Sequence, residues 1–278
     1  MRGVRLKRHR AFHLIPQVPT KVIAVANQKG GVGKTTTAVN LAACLAALGQ
    51  RMLLFDLDPQ ANATSGVGLP KVEGDSAYRV LLGEGGLLDK IKPTAYGNLS
   101  AIPSEVDLCA ADLELARMDN HLQRVSFTLQ PVRDSGRFDI VLLDCPPSLG
   151  ILSLNAFIAC DGLLVPLQCE YYALEGISMM NQVLNQLRAT GLNPRLDVFG
   201  VVMTMFDGRT KLSNEVVDEV RKLLGEKVFE TVIPRTTRLA EAPSFGQPII
   251  YYDKYSTGSA AYELLAQEVV ERLAKIYV

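Results

Sequence analysis

Asn27-Gln28-Lys29-Gly30-Gly31-Val32-Gly33-Lys34-Thr35-Thr36 lies between two stretches of different period. Before it runs the apolar, β-type segment Val22-Ile23-Ala24-Val25-Ala26; after it comes an Ala- and Leu-rich helical stretch from about Thr35 to Leu48. Strand, glycine loop and helix in that order make a phosphate-binding P-loop. Gly30, Gly31 and Gly33, with Val32 among them, let successive backbone N–H groups curl around an anion, and the helix start adds its positive dipole end. Lys34 is expected to reach the β- and γ-phosphates and the Thr35 hydroxyl to ligate Mg²⁺, with Thr36 completing the phosphate contacts. The loop departs from the common pattern in having Gln28 where a glycine is usual, followed by a second lysine, Lys29. Lys34 already serves the loop's own phosphates, so Lys29 makes sense if it reaches a nucleotide held by another subunit.

Two more segments agree with this reading. Arg51-Met52-Leu53-Leu54-Phe55-Asp56-Leu57-Asp58 and Phe138-Asp139-Ile140-Val141-Leu142-Leu143-Asp144 are apolar runs that end in acids. Such runs read as buried parallel strands with carboxylates at their C-terminal tips, the edge where open α/β sheets bind ligands. Asp56 is placed to hold Mg²⁺ through water, Asp58 to orient an attacking water, and Asp144 to support the metal as the Walker B acid. Either acid by itself also fits a helix cap or a loop solubiliser; the P-loop beside them favours the site.

Together these segments resemble the deviant-Walker-A ATPases of the ParA/Soj family, which segregate chromosomes and plasmids. Gln168-Cys169-Glu170-Tyr171-Tyr172-Ala173-Leu174-Glu175-Gly176 and Val232-Ile233-Pro234-Arg235-Thr236-Thr237-Arg238-Leu239-Ala240-Glu241-Ala242-Pro243-Ser244 carry the resemblance further, so that it runs from about Lys21 to near the C-terminus. The resemblance implies ATP and Mg²⁺ as cofactors and a homodimer that sandwiches the nucleotides. Lys29 then crosses to the partner's phosphates, Lys34 serves its own, and Asp58 positions the hydrolytic water. Gly30 sits where two backbones approach, so a side chain there is expected to block dimerisation but not ATP binding. Adenine is expected near Thr204-Met205 and the loop around Pro234. Many relatives carry Asn where this chain has Thr236. Non-specific double-stranded DNA and a ParB-type (Spo0J-type) protein are the implied partners, with Arg209 and Arg238 as DNA-phosphate contacts. Each arginine also fits a solvated surface residue or an internal ion pair. The implied location is the cytoplasm, on the nucleoid.

The 278 residues, 48% hydrophobic, suit one α/β domain over residues 21–278: a mostly parallel twisted sheet with helices on both faces. Later strands are expected at Leu163–Pro166 and Val198–Thr204, and a closing helix over Ser259–Ala274. Five cysteines without C-x-x-C spacing or a His cluster argue against disulfides and zinc and fit a reducing cytoplasm. Cys145 reads as a small buried residue. Gly150 to Cys169, broken by Asn155 and Asp161, reads as helix, turn, strand, and no membrane partner is expected.

The chain carries 29 basic and 29 acidic residues. No acid occurs before Asp56, and residues 1–21 hold six of the basic ones (Arg2, Arg5, Lys7, Arg8, Arg10, Lys21), which leaves residues 22–278 with a net charge of −6. Bulk charge therefore does not bind DNA; a local patch, a patch doubled by dimerisation, or the N-terminal segment must do so. Residues 1–20 read as a flexible basic arm that adds phosphate contacts, or else as a disordered extension or the product of an upstream start site.

Three alternatives share the loop. A MinD-type membrane-positioning ATPase should end in a basic amphipathic helix, whereas Ala261–Lys275 carries three acids against two bases. An electron-transfer ATPase of the nitrogenase iron-protein kind needs two cluster cysteines per chain, and only Cys109 stands in a suitable context. A bacterial tyrosine kinase, suggested by Tyr251, Tyr252 and Tyr255, lacks the flexible tyrosine tail, since these residues precede the closing helix.

Overall fold

The structure is a computed structural model that describes residues 19–171 and 173–276. Among these residues the strands are β1 (Lys21–Val25), β2 (Met52–Asp56), β3 (Lys92–Pro93), β4 (Leu99–Ile102), β5 (Ile140–Asp144), β6 (Gly162–Gln168), β7 (Val198–Phe206) and β8 (Val228–Pro234). The α-helices among the described residues are α1 (Lys34–Ala47), α2 (Asn62–Gly66), α3 (Tyr78–Leu81), α4 (Ala111–Leu115), α5 (Arg124–Asp134), α6 (Ile151–Ala159), α7 (Ala173–Ala189), α8 (Lys211–Leu224), α9 (Thr237–Glu241), α10 (Ile249–Tyr252) and α11 (Thr257–Ile276).

β1, β2 and β5 are continuous apolar runs because both of their faces are covered. Ile23 and Val25 of β1 join the layer formed by α1 and α11, with Leu41, Leu45, Leu265 and Val269; Val22 and Ala24 join the opposite layer, with Leu129, Phe157, Ile177 and Leu184. The eight strands form one sheet in the order β3-β4-β2-β5-β1-β6-β7-β8, parallel except for the β3–β4 pair. β5 and β6 flank β1, so the chain leaves β1 toward one half of the sheet and later returns to build the other. A crevice opens at such a reversal, at the carboxyl ends of the strands.

Register fixes what meets there. Val25 pairs with Asp144, and Asp144 with Asp56, so the glycine loop after β1 emerges beside both acids. α11 begins two residues earlier and ends two later than its apolar pattern suggested, and β6 and β7 likewise run further, to Gln168 and Phe206. The helix and strand expected within Gly150–Cys169 are α6 and β6. The basic segment expected as an arm falls, up to residue 18, outside the described residues.

Candidate nucleotide site

The phosphate loop is built to receive an anion. Gly31 (φ 75°) and Gly33 (φ 88°) take left-handed backbone, which side chains rarely tolerate. Gly33 is the N-cap of α1, which has no side-chain cap and no acid in its first turn, so the helix leaves its first N–H groups open. Asn27 shapes the entry: its Oδ1 accepts from Lys29 N at 3.0 Å and its Nδ2 donates to Pro166 O at 2.8 Å. Lys34 is buried, and its ammonium donates to Lys29 O across the loop at 3.1 Å. Burial lowers its pKa, opposed by Asp144, Asp58 and Cys145.

Asp144 is fully buried, and neither carboxylate oxygen makes a well-formed hydrogen bond. Burial first, then Asp56, pushes its pKa well above the usual carboxylate range; the nearby Thr35 hydroxyl and Lys34 ammonium pull the other way without prevailing. A buried carboxylate left unpaired costs stability unless a cation or donor arrives. One such acid, a threonine hydroxyl and phosphate oxygens are the donor set Mg²⁺ takes when it keeps several waters, so Asp144 and Thr35 fit that ion.

Asp56 differs. Its Oδ1 accepts from Asp58 N at 3.1 Å, and its Oδ2 accepts from Thr64 N at 2.8 Å and Thr64 Oγ1 at 2.7 Å. Burial raises its pKa to about 6, against those hydrogen bonds. Asp58 is buried and accepts from Gln60 N at 3.0 Å.

Lys29 and Gly30 turn outward. Lys29 Nζ lies 2.8 Å from Glu170 Oε2, both side chains about half exposed, and Gln168 Nε2 donates to the other Glu170 oxygen. A Cβ placed on Gly30 meets nothing within 4 Å, and its φ is not left-handed. Nothing in its own chain requires glycine there.

A pocket of about 260 Å³ beside the start of α1 is lined by Gly33, Thr36, Thr204, Met205, Pro234 and Tyr262, among others. Two of its threonine side chains are engaged elsewhere: Thr204 Oγ1 donates to Val32 O at 2.9 Å, and Thr236 Oγ1 caps α9 by accepting from Leu239 N. Met205 holds a left-handed backbone (φ 52°) at the rim, a conformation that costs a non-glycine residue about 1–3 kcal/mol and clusters at ligand sites. What the pocket offers a ligand is therefore mostly apolar surface and main chain. Sequence reasoning missed Tyr262, whose hydroxyl lies 3.2 Å from Thr37 Oγ1 across the α1–α11 contact, and Thr64 and Glu170; none stands in a run that suggests the contact.

The two arginines lie on the surface. Arg209 is 89% exposed and forks onto Asp207, at 2.8 and 2.7 Å, which holds the Asp207 carboxyl down at about 2. Arg238 pairs with Glu241 at 3.1 Å and with Asp253 at 3.3 Å. Cys109 is exposed and the other four cysteines are buried, and no group of His, Cys, Asp and Glu able by itself to hold a metal occurs among the described residues. No helix among them is long and apolar enough to cross a membrane.

Comparison with known proteins places this geometry. Residues 20–198 match a family model described as an AAA domain. The chromosome partitioning protein ParA of Caulobacter vibrioides is 46% identical over 255 residues, 91% of this chain and 95% of its own. The chromosome-partitioning ATPase Soj of Thermus thermophilus is 51% identical over 251 residues, 90% of this chain and 96% of its own. A Mycobacterium smegmatis structure named as cobyrinic acid a,c-diamide synthase with bound ADP and magnesium superposes with a TM-score of 0.78 at 33% identity, over 92% of this chain and 96% of that one. With a P-loop between β1 and α1, acids at the tips of β2 and β5, and relatives of this identity along nine-tenths of its length, the chain belongs to the ParA/Soj family of chromosome-partitioning ATPases.

Proposed function

We propose that this protein is an ATP-driven DNA-segregation switch. Mg²⁺ and ATP bind at the phosphate loop, two copies close over the nucleotides, the closed dimer holds DNA without sequence preference, and a ParB-type protein stimulates hydrolysis and release. The domain responsible is residues 21–278, working in the cytoplasm on the nucleoid.

The observation that carries the reading is the outward pair Lys29 and Gly30. Lys29 sits at the loop rim with a lone, half-exposed carboxylate for a partner, and Gly30 is a glycine that its own chain does not need. Both make sense when a second copy lies against the loop, with Lys29 on the partner's phosphates. Mg²⁺, held by Thr35 and Asp144, would offset phosphate charge as it develops. Lys34 would bind the phosphates, giving up Lys29 O, and Asp58 would orient the attacking water. Base binding falls to the pocket of Thr204, Met205 and Pro234, and Asp56 would meet the metal only through a water, since three hydrogen bonds already occupy its carboxylate. Arg209 and Arg238 would contact DNA phosphates, each exchanging a carboxylate for a phosphate oxygen. The membrane-positioning alternative has against it that Leu265, Ala266, Val269 and Leu273 of α11 are buried on the sheet.

The test is binding to a random-sequence DNA duplex with ATP, with ADP and without nucleotide, using Asp58→Ala to hold the ATP state. Binding is expected with ATP alone and is lost in Lys29→Ala. Gly30→Val should still bind ATP but neither dimerise nor hold DNA. Equal DNA binding in all three nucleotide states would assign the affinity to the basic N-terminal segment and sink the switch.

A further inference from the structure

We propose that Thr64 is a positioning residue for hydrolysis, holding Asp56 and, through it, the turn that aims Asp58. The inference rests on the ATPase reading of Asp58 given above.

Asp56 accepts three hydrogen bonds, and all three donors lie on residues 58 to 64, the segment that follows it. Two of them belong to Thr64, which supplies its amide and its hydroxyl. That hydroxyl also accepts from Ser104 N at 2.8 Å, so its own proton is directed to Asp56. Thr64 is 1% exposed, Asp56 2% and Asp58 6%, so water does not substitute readily for any of these bonds. The result is a closed loop: the Thr64 hydroxyl ties the tip of β2, α2 and the segment just after β4 together, and Asp58 N closes the turn onto the other Asp56 oxygen.

The turn needs tying. Ala61, inside it, holds a left-handed backbone (φ 53°) and is buried, a conformation that persists in a residue with a Cβ only when its surroundings over-determine it. The Asp58 carboxylate has its hydrogen bond within the same turn, from Gln60 N. Its direction is therefore set by the backbone, and the backbone is set by Asp56 and Thr64. A hydrolytic group displaced by about 1 Å loses about a hundredfold in rate while the nucleotide still binds. Asp56 thus acts chiefly on the loop, and its one remaining lone pair is all that is left for a water of the metal.

Thr64→Val keeps the shape, removes the proton given to Asp56 and sets a methyl against Ser104 N. Thr64→Ser restores the hydroxyl. ATP turnover of the full chain, with random-sequence duplex DNA present, is measured against ATP and against Mg²⁺ concentration for both variants and for Asp58→Ala. The expected result is a 10- to 100-fold lower kcat in Thr64→Val, with KM and the half-saturating Mg²⁺ concentration unchanged within about twofold, and recovery to within about threefold in Thr64→Ser. If Thr64→Val does not fold, Thr64→Ala, which leaves room at Ser104 N, is read in the same way. A kcat within twofold of the parent overturns the proposal. So does a raised Mg²⁺ requirement, which would assign Asp56 and Thr64 to the metal. Normal turnover in Asp58→Ala overturns the ATPase reading of Asp58 itself; loss there beside normal turnover in the Thr64 variants overturns this inference alone.

Discussion

The phosphate loop and the arginine surface lie in one domain and handle charge in opposite ways. Around the loop, ionisable groups are buried and left short of partners: Asp144 has an unpaired carboxylate, and the Lys34 ammonium rests on a backbone carbonyl. On the surface, Arg209 and Arg238 are solvated, and acids close by already meet their charge. A buried group without a partner is held at a cost that a ligand removes, so its purpose can be read from the unliganded chain. An exposed, neutralised arginine costs nothing to keep, and the same geometry serves a surface ion pair as well as a DNA contact. The first site is poised; the second would have to exchange partners to hold DNA.

The sharpest break is Lys34→Ala. It removes the one buried cation of the loop, and the expected loss of ATP turnover is about 10²–10³-fold, read as phosphate release with the fold checked by circular dichroism. Retained turnover would mean that the loop's burial and charge do not serve phosphate.

A smaller effect of opposite sign tests the cost of being poised. Asp144→Asn removes a buried, unpaired charge and should raise the stability of the nucleotide- and metal-free protein by about 1–3 kcal/mol while Mg²⁺-dependent turnover fails. The pH dependence follows from the direction of the shifts. Asp56 and Asp144 have folded-state pKa values raised above the usual 3.8, Asp56 to about 6 and Asp144 well above its ordinary range, chiefly by burial. Their protonated forms favour the fold, so this contribution is fully present below about pH 4 and is lost as pH rises through about 6 and beyond. Melting in EDTA from pH 4 to 8 should show that decline, and a shallower one in Asp144→Asn. The same slope in both proteins would mean that Asp144 is compensated after all.

The same contrast explains how far the sequence could be read. β1, β2 and β5 are legible because strands buried on both faces must be apolar, and an acid at the tip of such a run has few other reasons to be there. The order of the motifs then assigns Lys34, Asp58 and Asp144 to one edge of the sheet. Contacts between distant segments leave no such trace. Glu170 meets Lys29 across 141 positions, and Tyr262 meets Thr37 across 225. Thr64 is only eight residues from Asp56, yet within Asn62-Ala63-Thr64-Ser65-Gly66 it reads as a turn former, and α2 is too short for a helical period to show. β7 runs on to Phe206, beyond Thr204, although Met205 takes a left-handed backbone that no apolar pattern encodes. Arg209 and Arg238 were ambiguous between DNA and ion pairing in the sequence, and the structure gives both an acidic partner without removing them from solvent.

The smallest prediction is therefore the most direct comparison of the two sites. If Arg209 serves DNA, Asp207 competes with the phosphate for the same fork of N–H groups, and Asp207→Asn frees the arginine. The pair is exposed, and such pairs contribute about 0.2–1 kcal/mol, so the gain in affinity for random duplex DNA with ATP should be at most about fivefold. Binding should also steepen with falling salt by less than one phosphate contact, because an arginine already in place is released rather than a new one added. Arg209→Ala supplies the opposite arm, with weaker binding at every sequence and unchanged ATP turnover without DNA. An Asp207→Asn protein that binds DNA no more tightly, beside an Arg209→Ala protein that binds as well as the parent, would leave the fork a surface ion pair and shift the search to Arg238. There Glu241 and Asp253 share the charge, and removing either one should have a still smaller effect.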